Sequence, residues 1–309
     1  MNFNHIDYVL CQKHKFYAYI HAQRVITNLN EVLFFLAGLS KMVEIRLRDG
    51  QKVTVRDRME FDKFLGSPNF REQFLKNAGV DISNTNNSQI TLRFPDNLKL
   101  RFYYNTKKEQ ANILYTTYDL FVLNTYALPS IKGKEVLDIG ANIGDSAIYF
   151  ATKGAKKVIA FEPFPATYRQ AKENIYLNGM EKKIELLNIG VGGKSETIFL
   201  PDTFIGTSGM DSIGKSALDE NTDKGAPVRI VTLEEIIKMY PSSETVLKMD
   251  CEGCEYASLL NATDDTLKHF SEIILEYHEK SGKLMEKFRK AGFTPELKSG
   301  RIMLAKRNG

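Results

Sequence analysis

Val136 to Ser146 reads V-L-D-I-G-A-N-I-G-D-S, and this stretch decides the fold. A short apolar run, Glu135 to Ile139, breaks into Gly140 and Gly144 and becomes a helical pattern from Ile143 to Ala151. That is the signature of a buried parallel strand, a glycine turn and a helix N-terminus. Such a junction presents free backbone N–H groups and the positive end of a helix dipole at the strand's carboxyl edge, where α/β folds bind ligands. A nucleoside-bearing cofactor is expected there.

Downstream the same unit recurs. Strand-like runs are Glu135–Ile139, Lys157–Phe161, Ile184–Ile189, Thr245–Met249 and Glu272–Glu276. Helix-like segments are Ile143–Thr152, Ala166–Asn178, Glu255–Leu260 and Lys283–Ala291. This alternation predicts a doubly wound parallel sheet. Phe293–Leu297, a Ser299-Gly300 turn and Ile302–Ala305 predict an antiparallel hairpin at its edge. Ser195–Leu200 and Val228–Val231 read as extra strands flanking a polar loop, Asp202 to Ala226, of a length that is usually functional or disordered.

Upstream the pattern changes. Residues 1 to about 40 have helical spacing. Two hairpins follow, Val43–Leu47 with Val53 and Val55, and Ile90–Phe94 with Leu98–Phe102. Glu60 to Ala78 reads as helix, Asp81 to Ser88 as a polar loop, and Ile113 to Leu128 as an aromatic-rich helix stopped by Pro129. These readings divide the chain into an α+β region, 1–110, and a cofactor-binding domain, 111–309. The basic residues of the hairpins alternate with acidic ones, as on a solvated sheet face.

The 309 residues are 43% hydrophobic and 26% charged, and 42 Lys and Arg against 38 Asp and Glu leave little excess charge. Nucleic acid is therefore not the expected partner. Met1 to His14 lacks a signal-peptide core, and the run Val32 to Leu39 is too short to span a bilayer. A cytoplasmic protein is expected. Cys11, Cys251 and Cys254 make no disulfide framework, and the C-x-x-C pair reads as core or helix-start cysteines.

The dinucleotide pattern G-x-G-x-x-G fails, because Asn142 and Asp145 occupy its second and third glycine positions. No G-x-x-x-x-G-K-[ST] occurs either. The turn suits a cofactor with an adenosine and no phosphates, with Asp138 answering a positively charged amino acid moiety. Glu162, ending the second strand before Pro163, is placed to accept both hydroxyls of a ribose.

V-L-D-I-G-A-N-I-G-D-S, A-F-E-P-F-P and L-K-M-D-C-E-G-C-E, in this order, resemble the FkbM-type family of S-adenosylmethionine-dependent methyltransferases, over roughly Ile113 to His278. The resemblance implies a class I methyltransferase (Rossmann-like) fold with a seven-stranded sheet and antiparallel C-terminal hairpin. It implies S-adenosylmethionine as cofactor, and methylation of a hydroxyl on a sugar, glycolipid or related small molecule. Carried over, Asp138, Gly140, Asn142 and Gly144 would hold the methionine part, Glu162 the ribose, and Asn188 and Ile189 would border the adenine. Glu234 stands where the family has aspartate after Thr-Leu, in a segment that reads as structural. An RNA or protein methyltransferase using the N-terminal region as a platform is the alternative. That region and the Asp202–Ala226 loop are expected to build the acceptor pocket.

The chemistry is expected at the ends of the fourth and fifth strands. Asp250, first off the fourth strand, should lie nearest the transferred methyl, with Glu252 next and Glu255 capping the following helix. His278, ending the fifth, is a candidate to take the acceptor's proton when neutral, with Asp250 its rival. No metal is expected. A divalent ion on Asp250, Glu252 and His278 is the alternative.

Overall fold

The structure is a computed structural model that describes residues 26–65, 68–86, 88–128, 130–202, 225–242, 244–298 and 301–308. The chain forms two compact units, Met1–Asn124 and Thr125–Gly309. The division falls beyond the expected 110/111 boundary, because the helix Lys107–Thr117 and the π-helical turn Tyr118–Val122 belong to the first unit.

In the first unit, β1 (Val43–Arg46) pairs antiparallel with β2 (Lys52–Val55), as the alternation predicts. The helix Leu29–Leu36 and Phe61 and Phe70 of two further helices share their core. Ile26 bridges Leu47 rather than continuing a helix; the rest of the 1-to-40 reading, residues 1–25, lies outside the described residues. Asp81–Asn86, read as a polar loop, is β3, paired antiparallel with β4 (Gln89–Arg93), which pairs with β5 (Lys99–Tyr103). Cross-strand hydrogen bonds to a hydrophobic partner carry this strand despite its polar side chains.

The aromatic helix begins earlier than read and ends earlier too. Thr106 accepts from the Glu109 N–H at 3.2 Å, while Glu109 accepts from the Asn105 N–H at 2.8 Å. This reciprocal cap starts the helix at Lys107. Asn124, at φ +53°, ends the helical run, so Tyr126 is not part of it.

The second unit is built on seven strands in the order β14-β15-β13-β12-β6-β7-β8. They are β6 (Glu135–Ile139), β7 (Lys157–Phe161), β8 (Ile184–Leu187), β12 (Thr245–Met249), β13 (Phe270–Glu276), β14 (Phe293–Leu297) and β15 (Ile302–Arg307). β8, β7, β6, β12 and β13 run parallel, and β15 and β14 add the antiparallel hairpin. The sheet's strands are almost continuously apolar because helices cover both faces. Leu137, Ile159, Leu247 and Ile273 line one face of the core, against Leu259, Leu284 and Phe288 of the helices.

A second, three-stranded sheet orders β10 (Glu196–Leu200), β11 (Ala226–Val231) and β9 (Gly190–Val191). Between β10 and β11, residues 203–224 of the long loop lie outside the described residues. Glu234 accepts from the Thr263 N–H at 3.2 Å and the Thr266 hydroxyl at 3.1 Å, tying two helices together.

Candidate active site

The order of the parallel strands reverses at β6, with β7 on one side and β12 and β13 on the other, and open α/β sheets bind ligands at the carboxyl ends of strands flanking such a point. The site is built from the loops there, all within the second unit.

Gly140 leaves β6 at φ +77°, and a Cβ on it would overlap the backbone carbonyl of Asp250. Its N–H and that of Ala141 both reach the Phe161 carbonyl at 3.0 Å. Asn142 is left-handed at φ +49°, which a residue with a side chain adopts at a cost, and Gly144 caps the helix Asp145–Thr152 at φ +84°. A Cβ on Gly144 would press on Ala171 at 3.3 Å, so this glycine also lets two helices approach.

The turn is organised around Glu162. Its carboxylate accepts from the Asn142 N–H and the Phe164 N–H, each at 2.9 Å. Burial pushes the carboxyl up to about 8, outweighing those two N–H groups and the nearby Lys248 charge. Asn188 donates to the Glu162 and Pro163 carbonyls at 2.9 and 2.8 Å, holding the strand end, and Ile189 packs on the sheet core.

Asp138 lies on β6 with no solvent exposure. Its carboxylate is fully buried, accepts from the Ser146 hydroxyl at 2.7 Å and lies 2.9 Å from the Lys248 ammonium. Lys248, directly across from it in the β6–β12 register, also donates to the Gly140 carbonyl at 2.8 Å. Burial alone would lower the lysine; the carboxylates of Asp138 and Asp250 outweigh it and hold it above its ordinary value. Lys248 was not among the residues singled out from sequence. The signal was present, since a lysine inside an apolar parallel strand needs a buried counter-charge.

On the other side, Asp250 accepts from the Tyr126 hydroxyl at 2.8 Å, and the Tyr126 ring covers the Lys248 ammonium at 5.5 Å. Glu252 is held left-handed at φ +55°, its carboxylate 3.3 Å from His278 Nε2. Asp250 Oδ1 is 4.0 Å from the same nitrogen. Glu255, fully buried, accepts from the Cys251 N–H at 2.7 Å and the Gly253 N–H at 2.9 Å, and lies 3.3 Å from His278 Nδ1. It thus caps the loop before its helix and also grips the histidine.

Burial works against a charged imidazole here, but Glu255, Glu252 and Asp250 override it and raise His278 to about 9. A shift in that direction favours a protonated ring at neutral pH, where the sequence reading has a neutral base. The ligand atoms of Asp250, Glu252 and His278 lie within 4.8 Å of one another, a spacing that would also suit a shared divalent ion. The two cysteines of this loop, read as core or helix-start residues, are joined as a Cys251–Cys254 disulfide.

A mixed seven-stranded sheet in this order, with a glycine turn after the first strand and an acidic residue ending the second, defines a class I methyltransferase fold. Residues 138–295, slightly more than half of the chain, match the Methyltransferase FkbM domain, and the chain belongs to that family. It is a methyltransferase. Methyltransferase sdnD of Sordaria araneosa is 24% identical over 210 residues, covering 58% of this chain and 80% of that one. AMB antimetabolite synthetase AmbE of Pseudomonas aeruginosa is 27% identical over 203 residues, 54% of this chain but 10% of its own length. Among solved structures, the ribosomal protein L11 methylase of Lactobacillus delbrueckii subsp. bulgaricus shares 17% identity over 63% of this chain and 80% of that one, with a TM-score of 0.36. No helix among the described residues is long and apolar enough to cross a membrane.

Proposed function

We propose that the protein uses S-adenosylmethionine to methylate a hydroxyl of a sugar, glycolipid or related small molecule. The observation carrying this reading is the pairing, at one sheet edge, of a buried carboxylate in a backbone cradle with a carboxylate–imidazole cluster. Glu162 fits the ribose of the cofactor: two hydroxyls donating to it would stabilise the charge that burial disfavours. The Gly140–Gly144 turn, with Asn142, holds the methionine part through backbone, and Asn188 and Ile189 border the adenine. Asp138 acts on the turn from beneath, through Ser146 and Lys248, rather than by touching the cofactor.

When bound, the cofactor supplies an electrophilic methyl group on a sulfonium. The chain's residues hold the acceptor oxygen in line with it and receive its proton. Because His278 is already protonated at neutral pH, Asp250 takes the proton, and Tyr126 fixes the orientation of that carboxylate. Glu252, held by the His278 imidazolium, orients the acceptor by accepting from its hydroxyls. Carboxylates crowded at this edge favour hydroxyl donors and disfavour the phosphates of RNA.

The test is a labelled-methyl transfer screen over glycans, glycolipids and RNA. Label recovered as a methyl ether on a glycan or glycolipid hydroxyl supports the reading; label recovered only in RNA replaces it with the alternative.

A further inference from the structure

Cys251 and Cys254 flank Glu252 and Gly253, the two residues of the acidic loop with positive φ, at +55° and +113°. The bond between them closes a ring of four residues. Loops this short gain the least global stability from a cross-link in the chain-entropy account, so the bond's consequence is local. Within the ring, Glu252 keeps a backbone conformation unfavourable for a residue with a side chain. That conformation directs its carboxylate to within 3.3 Å of His278 Nε2. Besides the bond, the ring is held by the Cys251 and Gly253 N–H groups on Glu255. Both cysteines are half-buried, at the margin of the sheet's apolar core, and Cys254 is the first residue of the helix Cys254–Asn261.

We propose that Cys251 and Cys254 form a reversible thiol–disulfide site, opened by a dithiol reductant, whose closed state holds Glu252 against His278. In the opening step a thiolate of the reductant attacks the Cys251 sulfur. The S–S bond breaks and the electron pair leaves with Cys254, whose thiolate the helix N-terminus stabilises. The reductant's second thiol then attacks the mixed disulfide, releasing the Cys251 thiolate. The products are two protein thiols, which carry the reductant's two protons, and the reductant's own disulfide. A low-molecular-weight disulfide reverses the exchange. Opened, Glu252 is free to leave the left-handed region, and the carboxylate–imidazole cluster loses one of its three acids.

The test needs no methyl acceptor, so it stands or falls separately from the proposed function. The full chain is equilibrated in mixtures of reduced and oxidised dithiothreitol from oxidising to reducing, quenched and alkylated with iodoacetamide, and Cys251 and Cys254 are scored by peptide mass. Both cysteines should pass together from protected to alkylated. Hydrogen exchange of the peptide spanning 250–255 should quicken by about tenfold or more in the reduced form, while the 136–146 peptide is unchanged. The C251S/C254S chain should exchange like the reduced form, with or without dithiothreitol. Alkylation of both cysteines in every buffer, or equal exchange of the 250–255 peptide in closed and open wild-type protein, overturns the proposal. The wild-type comparison decides even if the serine variant fails to fold.

Discussion

Lys248 and Asp138, from neighbouring parallel strands, meet as a fully buried ion pair at 2.9 Å beneath the glycine turn. Removing one partner strands the other in an apolar sheet. Lys248→Met is expected to cost about 3–5 kcal/mol in urea unfolding, and adding Asp138→Leu to recover much of that loss. A double variant less stable than the single would show that the pair is not the source of the effect.

If Glu162 holds the cofactor's ribose, as proposed, binding is expected to depend on pH. Its carboxyl sits near 8 in the protein, and ribose hydroxyls favour its charged form. Binding should therefore release a proton below pH 8. The association constant for S-adenosylmethionine should rise by up to about tenfold per pH unit toward 8 and then level. Calorimetry in buffers of differing ionisation enthalpy reads the proton directly, and Glu162→Gln should abolish both the release and the slope.

His278 is raised from 6.5 to about 9 by its three acids. A group raised in the folded state stabilises fully below its unfolded value, and the contribution disappears as pH climbs through the folded value. The stability gap between wild type and His278→Asn should accordingly be widest below pH 6.5 and shrink to nothing above 9. A gap that grows with pH would contradict a charged imidazole.

If Asp250 takes the acceptor's proton, Asp250→Asn should lower turnover by about 10² to 10⁴-fold. His278→Asn should act mainly on acceptor KM. Tyr126→Phe, which loses only the hydroxyl bonded to Asp250, should fall between them. A rate in wild type that climbs tenfold per pH unit up to 9 would return the base to His278.

The imidazolium already supplies positive charge among Asp250 and Glu252, so methyl transfer is expected to persist in EDTA. Loss of activity on chelation, restored by Mg²⁺ or Mn²⁺, would instead make these residues ligands.

The sheet was legible because its strands and turns are local signals: an apolar run, a glycine, a helical period. The same holds for Glu162, which a strand end and Pro163 isolate. Tyr126 was not legible as a partner of Asp250, since 124 residues separate them and only the folded sheet brings them together. Asp138 was read as facing the cofactor because strand position alone does not say which side chains find a buried counter-charge. The helix beginning at Lys107 was signalled by Thr106 and Glu109, but aromatic spacing further on drew the reading away. The strand Asp81–Asn86 was hidden by side chains that carry no apolar period; its partner strand, not its own composition, makes it a strand.

At Gly140, the turn after β6 and the loop after β12 touch through bare backbone. No side chain intervenes whose size could be varied. If the proposed function holds, the gap between methyl donor and receiving group is gauged by peptide dimensions, like two rails bolted to one sleeper. A change of acceptor can be accommodated by altering what surrounds the crevice, but the reach across it is fixed by the sheet itself.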